Sequence, residues 1–150
     1  MIDALEAGKA LCKMSNWSMT SLQLQKVLYY AHMFYLGVSK GKSLLKEDFQ
    51  AWEYGPVLPS LYHHVKRFGN KPIREYAFFW QNDIPEDSAE YKCLLEMYLA
   101  TREISSSKMV RISHWEEGAW YETYKPGERD VVIPREAILK EYRARHESAS

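Results

Sequence analysis

Apolar positions recur at helical spacing through most of the chain. Between residues 20 and 38, Leu24, Val27, Leu28, Ala31, Tyr35 and Val38 follow an i, i+3, i+4 rhythm, which predicts a helix with one buried face. Thr20 with Gln23 three residues on has the form of a capping box, and Met19 and Leu24 are spaced as a hydrophobic staple. Gly37 and Gly41 offer stops. Residues 2–14 place Ala4, Leu5, Leu11 and Cys12 on one side of a shorter helix. Residues 85–103 predict another, with Pro85 near its start and Leu94, Leu95, Tyr98 and Leu99 facing inward. Ser105 to Ser107 can cap a helix running through Ile112, the stretch WEEGAWYETY reads as a turn and one or two helical turns, and Pro134 opens a last helix to about Arg145.

The stretch EDFQAWEYG breaks this rhythm. It alternates, with Phe49, Ala51 and Glu53 on one side and Gln50, Trp52 and Tyr54 on the other, which predicts a short strand. Two prolines follow three residues apart in EYGPVLPSLYHH. A missing N–H is tolerated in the first turn of a helix, so Pro56 is expected at its first position and Pro59 at its fourth. Gly55 supplies the strand-to-helix corner. Leu58, Leu61, Val65 and Phe68 form the apolar face, and Gly69-Asn70 ends the helix. DVVIP can add a second short strand. The fold class is mainly α: residues 1–150 read as a single compact helical domain with at most a small β element.

Composition sharpens this. The chain is 46% hydrophobic and 14% aromatic, too rich in core formers for a disordered polypeptide. Five Trp and eleven Tyr serve either as core or as a contact surface. Formal net charge is zero, so no specific nucleic-acid binding is expected. The charge is nonetheless uneven. Residues 1–80 carry ten Lys/Arg and six Asp/Glu, and residues 81–150 carry ten and fourteen. Cys12 and Cys93 read as reduced core thiols. The sequence shows no run of apolar residues long enough for a membrane span and no signal peptide, so a cytoplasmic location is expected.

Candidate chemistry is sparse. His32, His63, His64, His114 and His146 form no metal-binding spacing with one another or with either Cys, so no metal or other cofactor is expected. HWEEGAW brings His114 near Glu116 and Glu117, but a polar turn between helices accounts for it more simply than an acid–base site. The runs KGKSLLK and VKRFGNK read as solvated surface. The residues thus favour a binding module over an enzyme.

Three blocks add a resemblance. LQLQKVLYYAHMFYL, then EDFQAWEYGPVLPSLYHHVKRFG, and later ISHWEEGAWYETY together resemble the SocA-like antitoxins, which share the Panacea domain and include GepA-type phage-associated proteins. The third block carries Ala119 before Trp120, where that family more often has proline. The resemblance implies a non-catalytic antitoxin that binds and neutralises a protein toxin. Its alternative is an adaptor delivering a toxin to a AAA+ protease, or a phage-associated protein acting on a host. It also marks Gln25, Lys26, Tyr29, Tyr30, Trp52, Tyr54, Gly55, Pro56, Pro59, His114 and Trp120 as motif positions, serving as core or as contact surface.

Overall fold

Helix α1 (Ala4–Met14) begins at a capping box in which Asp3 accepts from Glu6 N and Glu6 returns the bond. Helix α2 (Ser21–Val38) begins at the expected box of Thr20 and Gln23. Each box satisfies N–H groups that the helix itself leaves unpaired. The computed structural model describes residues 1–149. In chain order there follow β1 (Gln50–Trp52), β2 (Gly55–Val57), α3 (Pro59–Val65), 3₁₀ turns at Lys66–Phe68 and Glu75–Phe78, α4 (Ala89–Thr101), α5 (Ser106–Ser113), α6 (Ala119–Thr123) and α7 (Arg135–Ala149). The fold is mainly α, with one small two-stranded sheet among the described residues.

Helix α2 is the spine. It packs against α1, α3, α4, α5, α7 and β2. Leu24, Leu28, Tyr29, Ala31 and His32 are fully buried along it, so it is enclosed on more than one side. One continuous apolar cluster runs from Ile2 to Ile138. Cys12 and Cys93 are free and buried in that cluster.

The proline expectation is corrected. Pro56 lies in β2, not in a helix, and Pro59 takes the first helical position of α3, behind Leu58 at the N-cap. The hairpin pairs Ala51 with Pro56 and Trp52 with Gly55. The Ala51 N–H turns away from β2 and donates to the Val131 carbonyl at 2.9 Å. Ala51 and Pro56 are thus a non-hydrogen-bonded pair, and the missing N–H of Pro56 lies on the outer edge of the ladder, where a strand accepts proline. DVVIP contributes a single bridge, Gln50 to Val132, rather than a strand. The alternation read in residues 49–54 also fails at Trp52, which is buried like Phe49 and Ala51.

Helix α4 turns a different face inward. Cys93 and Leu94 are buried, whereas Leu95 and Leu99 are exposed. It starts at Ser88, whose hydroxyl accepts from Tyr91 N, so Pro85 lies outside it. Helix α7 runs past Arg145 to Ala149.

Candidate functional site

The motif positions converge where α2 meets the hairpin and α5–α6. Gln25, 2% exposed, sits beside Leu58. Its side-chain oxygen accepts from Leu58 N at 2.8 Å, and its amide donates to Leu58 O at 3.1 Å. Leu58 has no side-chain cap of its own, so this amide completes the backbone at the entrance to α3. Lys26 is fully buried, and its ammonium donates to the Pro56 carbonyl at 2.9 Å. That carbonyl points outward from the ladder on the same side as the missing N–H. Burial lowers the Lys26 pKa to about 7.

Gly55 makes this approach possible. Its φ is +112°, and a Cβ there would fall 2.7 Å from Ser113 Oγ and 3.0 Å from Lys26 Cε. Both the backbone conformation and the space call for glycine.

A second knot lies deeper. The fully buried Glu141 on α7 accepts from Tyr29 OH at 3.0 Å and Ala119 N at 2.8 Å through one oxygen. Its other oxygen meets the Arg145 guanidinium at 2.7 Å. Arg145 also donates to Ile112 O at 2.9 Å and lies over the Trp115 ring. Burial first, and the Glu141 carboxylate second, hold the Tyr29 hydroxyl well above its ordinary pKa. Tyr30 donates to Met109 O at 2.7 Å, and burial raises its pKa too.

The aromatic members form two groups. Trp120 lies between the rings of His114 at 3.7 Å and Tyr124 at 4.6 Å, nearly parallel to both. Its indole N–H donates to Trp52 O at 2.6 Å. Trp52 meets Tyr62 of α3 edge-on at 4.9 Å, and the Arg129 guanidinium covers it at 4.2 Å. His114 Nε2 is buried without a hydrogen-bond partner, and burial lowers the His114 pKa, with the Lys26 charge adding to the effect. Glu116 and Glu117 are both exposed.

A groove of about 550 Å³ opens beside this corner. Leu22, Trp52, Tyr54, Tyr62, Tyr124 and Arg129 are among the residues that form its walls, and Gln25 and Lys26 reach it from α2. The structure therefore divides the motif. Gln25, Lys26, Tyr29, Trp52, Gly55, Pro56 and Trp120 are buried, Tyr30, Pro59 and His114 are half-buried, and Tyr54 stands 65% exposed at the groove. Sequence reasoning missed Tyr62 and Arg129 on the groove wall and Glu141 in the core. The last had one local sign: a carboxylate in the middle of an otherwise amphipathic helix, four residues before Arg145.

No group of three or more His, Cys, Asp or Glu able to hold a metal ion occurs among the described residues, and no helix there is long and apolar enough to cross a membrane. What the corner offers is a set of side chains that tie backbone segments together beneath an aromatic groove.

Comparison with known proteins gives this scaffold its family. The family described as "Antitoxin SocA-like, Panacea domain" matches residues 24–121, and the chain belongs to it. That segment holds every motif position discussed above. Among curated proteins, Antitoxin SocA of Caulobacter vibrioides (strain NA1000 / CB15N) is 33% identical over 111 residues, which cover 67% of this chain and 57% of that protein. The chain thus spans little more than half the length of this relative. No solved structure matches the chain.

Proposed function

We propose that the chain is a non-catalytic antitoxin, a single cytoplasmic domain that binds and neutralises a cognate protein toxin. Membership of the antitoxin family across residues 24–121 carries this reading. The chemistry of the corner supports it. The Lys26 amine is committed to a backbone carbonyl, and the Glu141 carboxylate to three donor residues. These polar groups hold the fold. The aromatic groove with Tyr54 and Arg129 is left for contact, and aromatic side chains and Arg are the types that dominate binding energy at interfaces.

Binding of this kind is stoichiometric. A specific complex buries on the order of 1,200–2,000 Å² in total. The test is co-expression with the toxic product of a neighbouring gene, followed by titration of the purified pair. Growth rescue, inhibition complete near one copy per toxin, and toxin activity recovered on separation are the expected results. Toxin left inactive after treatment with a small fraction of an equivalent refutes the reading in favour of an enzyme. Loss of toxin only in cells that contain a AAA+ protease refutes direct neutralisation in favour of delivery for degradation.

A further inference from the structure

The segment that follows α3 presents a surface the motif does not explain. Trp80 is 94% exposed, Phe79 63% and Tyr76 54%. Large aromatic rings gathered in water mark a contact surface. The backbone that carries them is held firmly. Phe78 between them is fully buried and packs against Trp17, and Lys9 donates to the Gln81 carbonyl at 2.7 Å. Arg67 lies over both Phe68 at 5.1 Å and Tyr76 at 5.3 Å, tying this stretch to the 3₁₀ turn at the end of α3. That turn leads into Gly69, which lines the groove, so the aromatic surface and the groove are continuous.

The charge on this surface has one dominant sign. Lys66, Arg67, Lys71 and Arg74 are all exposed, and none forms an ion pair among the described residues. Glu75 is the one acid between residues 66 and 80. We infer that the partner docks here, across the 3₁₀ turn and the Tyr76–Trp80 stretch, and that it contributes an acidic protein segment bearing apolar anchors. The anchors cover Phe79 and Trp80, and the carboxylates meet the unpaired cations. The inference rests on the reading of this chain as a toxin-binding antitoxin, and it names the face and the chemistry of that contact. An acidic protein suits the surface better than a nucleic acid. Four cations on a chain of zero net charge give little counterion release. Arg67 also covers the Phe68 and Tyr76 rings on which bases would stack.

The test uses the full chain, Trp80→Ala, and the double variant Arg67→Glu with Arg74→Glu. These side chains are exposed, and unchanged circular dichroism midpoints check that each variant folds. The first probe is a synthetic peptide of glutamates interspersed with leucine and phenylalanine, followed by NMR of the indole N–H signals. Saturable binding is expected, with the Trp80 signal moving and affinity falling as salt rises. Each variant should weaken binding by at least about tenfold. No saturable binding, or binding that both variants keep, overturns the inference. Tighter binding of oligo-dT than of the peptide overturns it in favour of a nucleic-acid surface. The second readout is toxin rescue. A wild-type chain that fails to rescue sinks the antitoxin reading itself. Full rescue by both variants leaves that reading standing and sinks the docking face alone.

Discussion

Replacing Lys26 with methionine should change how stability depends on pH. The unfolded chain holds this lysine near its ordinary pKa of 10.5, and burial lowers it to about 7 in the fold. At about 1.36 kcal/mol per pH unit, the gap of 3.5 corresponds to a burial cost of about 5 kcal/mol. Below pH 7 both states carry the charge, and the folded state bears the full cost. Between pH 7 and 10.5 the folded state releases a proton that the unfolded state keeps, so the folded state gains stability as pH rises. From pH 7 to 8.5 that gain is on the order of 1–2 kcal/mol. Methionine has no proton to release and should lack this rise. The substitution also strands the Pro56 carbonyl, at about 1–3 kcal/mol, but that loss does not depend on pH. Cys12 and Cys93, both pushed up to about 12 by burial, affect both proteins alike and cancel in the difference. His114, which feels the Lys26 charge, has its pKa lowered from 6.5 and titrates below this window. Thermal or urea unfolding of both proteins at the two pH values measures the effect. The midpoint difference should shift by about 3–6 °C in favour of wild type at pH 8.5. A difference constant across the two pH values refutes the claim that Lys26 is buried at the cost of its charge.

Two further substitutions probe the corner. Glu141→Leu should destabilise by about 3–5 kcal/mol, because Arg145 loses its buried carboxylate partner and Tyr29 OH and Ala119 N lose their acceptor. Urea unfolding measures it, and a cost within experimental error counts against the knot. Trp52→Ala should cost about 3–5 kcal/mol, as expected when a ring 7% exposed is removed from between Tyr62 and Arg129. An unchanged thermal midpoint there would show that the Trp52 ring contributes no buried packing and belongs to the contact surface.

Helix α2 was legible because its signals are local. The Thr20–Gln23 box lies within four residues, and the buried rhythm repeats through a single element. The antitoxin family was legible for a related reason, since its three blocks hold their order along the chain. Pro56 was misread because a missing N–H fits both a helix start and the outer edge of a strand. The pairing of Ala51 with Pro56 decides for the strand, and the Ala51–Val131 bond, 80 residues apart, shows that the missing N–H faces outward. Leu95 and Leu99 were misplaced because α4 is apolar on more than one face, and contacts with α1 and α2 select Cys93 and Leu94. Glu141 escaped notice because two of its three partners lie 22 and 112 residues away, beyond any periodicity. Trp80 escaped notice because a run of aromatic residues in a turn has no period to show which face is wet.

The bond from Tyr29 to Glu141 also bears on how the protein is made. Ribosomes add about 5–20 residues per second, so the 112 residues between the two partners take roughly 6–22 s to synthesise. Throughout that interval the hydroxyl of the α2 spine waits for an acceptor supplied by the last helix, and Ala119 N waits for the same carboxylate. The Trp120–Trp52 tie closes earlier, after 68 residues. A chain that ends between residues 120 and 141 therefore carries both partners of the hairpin tie but lacks the carboxylate that seals the spine. A chain halted before residue 141 stays unsealed, open to proteases, and removing only the final helix should turn a stable protein into a short-lived one.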